Sequence, residues 1–383
     1  MKYRALGNTG LEVSEIGFGA EWIGEMEPGE LERIVARYEE AGVNIVDCWM
    51  ADPALRSALG DALAGQRDRW IIQGHIGSTW QDGQYTRSRD LAFVKPAFED
   101  LLTRLRTDHI ELGMIHYVDE MDDFDDLMSN GFIDYVRALR RDGTIGHVGF
   151  STHSAVVGKA AVESGEIEMM MFSINPAYDM MPAVSTIETL AGEKGEYDAV
   201  AGGVDPQRVE LYELCEGRGI GLTVMKGCAG GMLLDTTKSP FGVALSPAQC
   251  IHYALTRPAV ASIMVGVKDV AQADEALHYE EASPSERRFE RVLSKAPLHS
   301  HKGHCIYCGH CQPCFAHIDI AYINKLYDLA TAGDTIPESV REHYNNLRVN
   351  ASACIGCCVC QNRCPFGVKI AKRMVATRKL FAN

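Results

Sequence analysis

The sequence contains no run of about 18 apolar residues, which argues against a membrane-spanning helix. Its N-terminus, MKYRALGNTGLEVSEIGFG, lacks the basic-then-apolar pattern of a secretory signal. A cytoplasmic location is therefore expected, where thiols stay reduced. Positive charge is scarce: 37 Lys and Arg stand against 52 Asp and Glu, a net charge of −15. That balance speaks against general nucleic-acid binding. No G-x-G-x-x-G turn follows the first apolar strand, so the usual fingerprint of a doubly wound dinucleotide fold is missing.

Cysteine, by contrast, is plentiful and uneven. Nine of the 13 cysteines lie between Cys305 and Cys364, which argues for metal ligation rather than a dispersed disulfide framework. Cys305, Cys308, Cys311 and Cys314 are spaced C-x2-C-x2-C-x2-C. Cys354, Cys357, Cys360 and Cys364, followed by Pro365, are spaced C-x2-C-x2-C-x3-C-P, the bacterial ferredoxin run for a [4Fe-4S] cluster. In two-cluster ferredoxins the proline-linked cysteine serves the other cluster. The expected ligand sets are therefore Cys305, Cys308, Cys311 with Cys364, and Cys354, Cys357, Cys360 with Cys314. Cys358 breaks the spacing and is read as a non-ligand. Zinc is the alternative, since paired C-x2-C is also a zinc pattern. His299, His301 and His304 precede the first run and are read as surface residues or neighbours of a cluster.

The first 280 residues alternate apolar strands with amphipathic helices. Strands are expected at 13–19, 44–49, 70–76, 110–117, 145–151, 168–174, 220–226 and 261–266, with a helical pattern after each. The helices are expected at 29–41, 53–64, 91–106, 124–141, 154–164, 206–217, 246–256 and 269–279. Continuous apolar strands imply a parallel sheet covered on its outer face. Eight such units in about 270 residues have the size of a (β/α)8 TIM barrel. Residues 176–205 are the longest irregular stretch and are read as a loop or lid beyond strand six. The expected organisation is a barrel over 1–285, a linker over 286–300 and a small α-helical ferredoxin-like domain over 301–383. From residue 298 onward there are ten Lys/Arg against five Asp/Glu, so a basic module follows an acidic body. That split would suit an acidic electron-donor protein as partner.

The opening YRALGNTGLEVSEIGFG, then NIVDCW, MIHYVD, HVGFSTH and MKGCAGG, together resemble the aldo-keto reductase superfamily. More narrowly, they resemble its bacterial branch with a C-terminal two-cluster ferredoxin domain. The resemblance implies a (β/α)8 barrel that reduces carbonyls with NADPH through Asp, Tyr, Lys and His. Asp47 fits the Asp and His116 the His. The Tyr position falls on Asp52 and the Lys position on His75, and no Tyr or Lys occurs between 44 and 78. For the cofactor, the resemblance implies Gly19, Ser151, Lys226, Gly266, Lys268, Gln272 and Glu275. The Gln expected on strand six falls on Met171, which weakens the nicotinamide clamp.

Histidine titrates near neutral pH and can replace Tyr as a proton donor. The expected catalytic set is therefore Asp47, Asp52, His75 and His116, with Tyr117 and His153 nearby. Trp22, Trp49 and Trp80 are candidates to line a pocket for a small-molecule substrate. A nicotinamide moves two electrons together and a [4Fe-4S] cluster one, so the two need a converter such as a flavin. The expected cofactors are two [4Fe-4S] clusters, with NADPH and a flavin as the further ones the sequence admits. The function expected is an iron–sulfur oxidoreductase that reduces a carbonyl or an activated double bond. The alternative is an electron-transfer protein that uses the barrel as scaffold.

Overall fold

The computed structural model describes residues 1–190, 203–299, 301–333 and 335–382 of the chain. A short antiparallel hairpin, β1 (Tyr3–Ala5) with β2 (Glu12–Ser14), precedes the barrel. Eight parallel strands then close on themselves: β3 (Ile16–Gly19), β4 (Ile45–Cys48), β5 (Ile71–Ile76), β8 (Ile110–Ile115), β9 (Ile145–Thr152), β10 (Met169–Ser173), β11 (Gly221–Met225) and β12 (Val260–Gly266). Their spatial order is their order in the chain, so each connection is the simple crossover of a (β/α)8 barrel. All eight expected strands are present.

Inside the barrel, Ile45, Leu112, Met114, Met169, Met171 and Met264 pack with Leu6 and Val13 of the N-terminal segment. The hairpin thus plugs the end of the barrel opposite the strand C-termini. Flexible methionines fill the irregular space that glycine leaves: a Cβ on Gly149 would lie 2.2 Å from Met114 Sδ.

Helices cover the outside. They are α1 (Glu30–Ala41), α2 (Pro53–Ala62), α3 (Leu91–Arg104), α4 (Met121–Ser129), α5 (Phe132–Asp142), α6 (Ala155–Ser164), the single turn α7 (Ile187–Leu190), α8 (Pro206–Arg218), α9 (Pro247–Leu255) and α10 (Val270–Leu277). The helix expected over 124–141 is two helices. Gly131 at φ 91° breaks it, and Asn130 Oδ1 accepts from Phe132 N at 2.9 Å to start the second.

A further hairpin, β6 (Ser78–Gln81) with β7 (Gln84–Arg87), rises from the end of β5, between the strand expected at 70–76 and the helix expected at 91–106. Its two-residue turn, Asp82-Gly83, has φ of 51° and 77°. Positive φ at both central positions is the hairpin turn whose twist matches that of the strands.

The segment beyond β10 is tied down at Asp179, which is fully buried. Its carboxylate accepts from Tyr212 and Tyr253 and lies 3.5 Å from Arg208 Nε, while its backbone carbonyl accepts from Asp205 N at 2.7 Å. Residues 179 and 205 are thereby held together. The central part of the expected lid, 191–202, lies outside the described residues.

Beyond β12 the described residues form helices and no strand: α11 (Phe289–Leu293), α12 (Ile320–Ala330), α13 (Glu338–Asn345), α14 (Val359–Arg363) and α15 (Ile370–Leu380). The stretch 286–300 is not a free linker. Phe289 is buried against Tyr253, with ring centroids 5.0 Å apart. The C-terminal helices pack on the barrel through several polar ties. Lys325 Nζ meets Glu213 Oε1 at 2.6 Å, and both Nη atoms of the buried Arg257 donate to Ile306 O at 3.3 Å. His301 is buried between the rings of Phe241 and Phe366.

Candidate active site

Three neighbouring strand ends carry the polar groups of the mouth. Asp47 and His75 lie next to the ends of β4 and β5 and His116 follows β8, and all three are buried. Parallel register sets Asp47 beside Gln73 and His75 beside Met114. The side chains join in a line. His75 Nε2 lies 2.9 Å from Asp47 Oδ1, and His75 Nδ1 lies 2.7 Å from His116 Nδ1. The line ends on a residue that the sequence reading did not include: Tyr85 Oη, 2.8 Å from His116 Nε2. Tyr85 sits on β7 and is 38% exposed, so its hydroxyl group joins the buried chain to the open mouth. The signal for it was present, since Asp-Gly between STWQ and QYTR is the strongest short-range mark of a hairpin.

Tautomers follow from the partners. Gln73 Nε2 donates to Asp47 Oδ1 at 3.0 Å, and that oxygen also takes the bond from His75. With His75 Nε2–H donating to Asp47, His75 Nδ1 accepts from His116 Nδ1–H, and His116 Nε2 accepts from Tyr85 O–H. All three bonds then point from Tyr85 toward Asp47. One added proton reverses the outer two. Protonated His75 keeps its bond to Asp47 and donates through Nδ1 to His116, whose Nε2–H donates to the Tyr85 oxygen. The phenol hydrogen is then free to face the mouth. Burial raises the Tyr85 hydroxyl above the ordinary phenol range, against the opposing charges of Arg87 and Arg89.

Trp49 stacks parallel to His116 at 6.1 Å and meets Tyr85 edge-on at 5.5 Å, so it walls the chain. Trp80 pairs across the hairpin with Tyr85. Asp52 is not brought into the chain. It caps α2, with Oδ1 accepting from Ala54 N at 2.7 Å, which is the ordinary use of an Asp ahead of a proline. His153 joins a separate pair, its Nδ1 lying 3.0 Å from Asp119 Oδ2. Burial would raise the Asp119 carboxyl, but the bonds from His153 outweigh it and hold the group low. Ser151 Oγ accepts from Tyr117 N at 3.2 Å. Cys48 is packing: burial pushes its thiol up to about 12.

Burial, aided by the charges of His75 and Arg89, holds His116 well below the ordinary imidazole range, and burial pushes His301 down to about 3. Below about pH 6.5 the unfolded chain protonates these two while the folded chain does not. Stability therefore falls as pH falls, by about 1.4 kcal/mol per pH unit for each. Thermal unfolding should give a lower Tm at pH 5 than at pH 7, and His301→Phe should reduce that slope. Equal Tm values at both pH values would contradict this.

Beside the chain lies a cavity of about 340 Å³. Lys226, Gly266, Lys268, Gln272 and Glu275 all line it, with Glu21 and Trp22. Gly19 lies next to it, in register with Gly266 on one side and Asp47 on the other. A Cβ at 266 would lie 2.7 Å from both Glu21 Oε1 and Trp22 Nε1, so a larger residue there would have to displace those side chains. Burial raises the Glu21 carboxyl, Lys226 opposes and Asp47 adds to the rise, so Glu21 feels both the cavity and the relay. Lys268 Nζ lies 2.5 Å from Glu25 Oε2 and 4.1 Å above the Trp22 ring. An anionic group entering the cavity would meet two lysines, one of them already held by a carboxylate. The cavity lies after β11 and β12, where barrels hold phosphate groups, and its lining sets Lys226 and Lys268 against Glu21 and Glu275.

The cysteines line two further cavities. Cys305, Cys308, Cys311 and Cys364 surround one, and Cys314, Cys354, Cys357 and Cys360 surround the other, which Cys358 also borders. Among the described residues no three His, Cys, Asp or Glu side chains converge closely enough to hold a single metal ion. Asn324 is fully buried at the first cavity, and neither its Nδ2 nor its Oδ1 has a hydrogen-bond partner. An orphaned amide beside four thiols fits a bound inorganic group that completes it.

The profile of the Aldo/keto reductase family matches residues 15–244. YqkF of Bacillus subtilis, described as an uncharacterised oxidoreductase, is 28% identical over 325 residues, covering 81% of this chain and 99% of YqkF. The aldo-keto reductase YhdN of the same organism is 30% identical over 131 residues, covering 32% of this chain and 39% of YhdN. Among solved structures, the holo form of the aldo-keto reductase AKR11C1 from Bacillus halodurans matches with a TM-score of 0.59 at 24% identity, covering 78% of this chain and 98% of that one. That last likeness is one of fold. With its closed eight-stranded barrel and a profile match over more than half its length, this chain belongs to the aldo/keto reductase family of oxidoreductases.

Proposed function

We propose that this protein reduces a carbonyl or an activated double bond of a small molecule at the barrel mouth, with Tyr85 as the proton donor. The observation that carries this reading is the unbroken chain Asp47–His75–His116–Tyr85. In the family pattern a lysine beside Asp activates a tyrosine; here His75 takes the lysine position, and the hairpin supplies a tyrosine from a different place. The loaded chain holds one extra proton as a His75 imidazolium paired with Asp47. As a carbonyl oxygen takes the Tyr85 hydrogen, Tyr85 takes the hydrogen of His116 Nε2, and His116 Nδ1 takes that of His75 Nδ1. His75 is left neutral with Nε2–H on Asp47, and solvent returns one proton through Tyr85. The buried pair stores the proton and the partly exposed Tyr85 delivers it. Trp49 and Trp80 give the mouth flat apolar walls, which favour a planar or aromatic substrate.

Lys226, Gly266, Lys268, Gln272 and Glu275 would hold NADPH or a flavin phosphate. Such a cofactor supplies the hydride. The two cysteine sets would hold two [4Fe-4S] clusters, Cys305, Cys308, Cys311 with Cys364 and Cys354, Cys357, Cys360 with Cys314. Such clusters carry electrons singly.

The test starts from anaerobically purified protein, assayed for iron, sulfide and flavin and then for reduction of a carbonyl panel with NADPH. Turnover is expected, and Tyr85→Phe should lower kcat about 100-fold, within the range of a lost general acid, while KM moves less than about threefold. A Tyr85→Phe enzyme with unchanged kcat would remove Tyr85 from the reaction. Iron-loaded protein that turns over nothing and binds no nucleotide or flavin would instead be an electron-transfer protein on a barrel scaffold.

A further inference from the structure

The two cysteine cavities differ in what surrounds them. The first lies against the barrel: Ile306 and Asn324, both buried, line it, and Ile306 O is held by Arg257. The second opens to solvent. Cys357 is exposed, and two large apolar side chains stand on its lip, Phe315 at 72% and Ile355 at 73% exposure. Val375, 45% exposed, lies on α15, one turn beyond Ala371 of the same cavity wall.

Isolated exposed apolar residues need no explanation, but a group of them around one opening does. The charge around this opening is mostly positive, although Asp319, the exposed cap of α12, lies between Ile318 and Ile320 of the wall. Residues 344–383 contain seven Lys and Arg and no Asp or Glu. Arg373 is paired with Asp328, but Arg363, Lys369, Lys372, Arg378 and Lys379 are exposed. Lys369 and Lys372 flank Ile370 and Ala371 of the cavity wall. Elsewhere the chain is strongly acidic, so this face is the one that an acidic protein approaches without repulsion.

We infer that the lip formed by Phe315, Ile355 and Val375, with its basic surround, is the docking surface for a small acidic one-electron carrier protein. This inference rests on the reading of the cysteine sets as cluster ligands. The apolar side chains exclude water at the centre and the lysines steer the encounter, the usual division between core and rim. Each docking oxidises the carrier by one electron and reduces this protein by one. Two dockings would supply the two electrons that, with one proton from solvent, make up the hydride a flavin in the barrel cavity would give to C=O. The second proton of CH–OH is the one stored on His75. The asymmetry of the two sites gives a direction, with entry at the open site and onward passage at the site against the barrel.

The test is titration calorimetry of the anaerobic, iron-loaded full chain with a small acidic [2Fe-2S] ferredoxin as probe. Binding is expected to weaken about tenfold or more between 50 and 300 mM salt, as steered contacts do. Phe315→Ser with Ile355→Ser, and separately Lys369→Glu with Lys372→Glu, should each weaken it at least about tenfold with iron content unchanged. Arg33→Glu, on α1 of the barrel, should leave it unchanged. Full iron loading with no binding, or with binding that ignores both double variants, would overturn the docking surface alone. Patch-dependent self-association in place of carrier binding would assign the face to a second copy and overturn it too. Protein that holds no iron would overturn the cluster reading and this inference together.

Discussion

Replacing His75 with alanine should lower turnover about 1000-fold, toward the upper part of the range for general acid–base groups. His75 is the middle of the chain, with Asp47 on one ring nitrogen and His116 on the other. Its removal cuts the path between the stored proton and Tyr85. It also leaves Asp47, 3% exposed, with Gln73 as its remaining partner in the chain and deprives His116 Nδ1 of its own. Leaving one partner of a buried ionic pair uncompensated typically costs about 3–5 kcal/mol, so a fall in Tm should accompany the loss of activity. His75→Lys separates the two effects. Its ammonium can satisfy Asp47, so much of the stability should return, but it has no second ring nitrogen to pass a proton to His116, so turnover should stay low. Steady-state kinetics and thermal unfolding on the three proteins decide the matter. An alanine variant that keeps more than about a tenth of wild-type kcat would sink the relay.

Cys364→Ser should halve the iron, from about eight to about four atoms per chain, given four per cluster. The loss should come from the site with Cys305, Cys308 and Cys311, although Cys364 belongs in sequence to the other run. Cys314→Ser should do the converse and disturb the site with Cys354, Cys357 and Cys360. Cys358→Ser should leave all the iron in place: that residue is in the left-handed region at φ 60°, with its thiol 3.4 Å from Gly356 O. Iron and sulfide assays with low-temperature EPR would distinguish the remaining site in each variant. Burial pushes the Cys305 and Cys311 thiols up to about 12, so with no metal to claim them they stay neutral, and the module should unfold more easily after chelation. If Cys358→Ser loses iron and Cys314→Ser does not, the ligand assignment is wrong.

Much of the fold is legible in the sequence because a parallel barrel strand is buried on both faces and reads as a plain apolar run. MMMFS and GLTVM need no alternation to be recognised. The β6–β7 hairpin is harder, because its exposed strands, STWQ and QYTR, carry no such run. Its turn was readable, but not the direction in which the turn folds back. Asp47, His75 and His116 were readable because strand ends fix where a residue emerges. Tyr85 was not, since its place in the site depends on an excursion away from the barrel. Asp52 was misread by position alone. Asp followed by proline marks a helix start, and a carboxylate engaged in capping a helix is a poor candidate for chemistry. The separation of 124–141 into two helices was written in Asn130-Gly131.

The hairpin also sets how independently the site can vary from the barrel. Its strand pairing is internal to residues 78–87, outside the barrel ladder, but side chains tie it down: Ser78 Oγ donates to Trp49 O, Arg56 donates to Ser78 O and Arg87 donates to Tyr117 O. Tyr85 therefore stands on an arm whose backbone is separate from the barrel wall. A change in the Asp82-Gly83 turn would alter the surroundings of its hydroxyl without breaking a strand pair of the barrel.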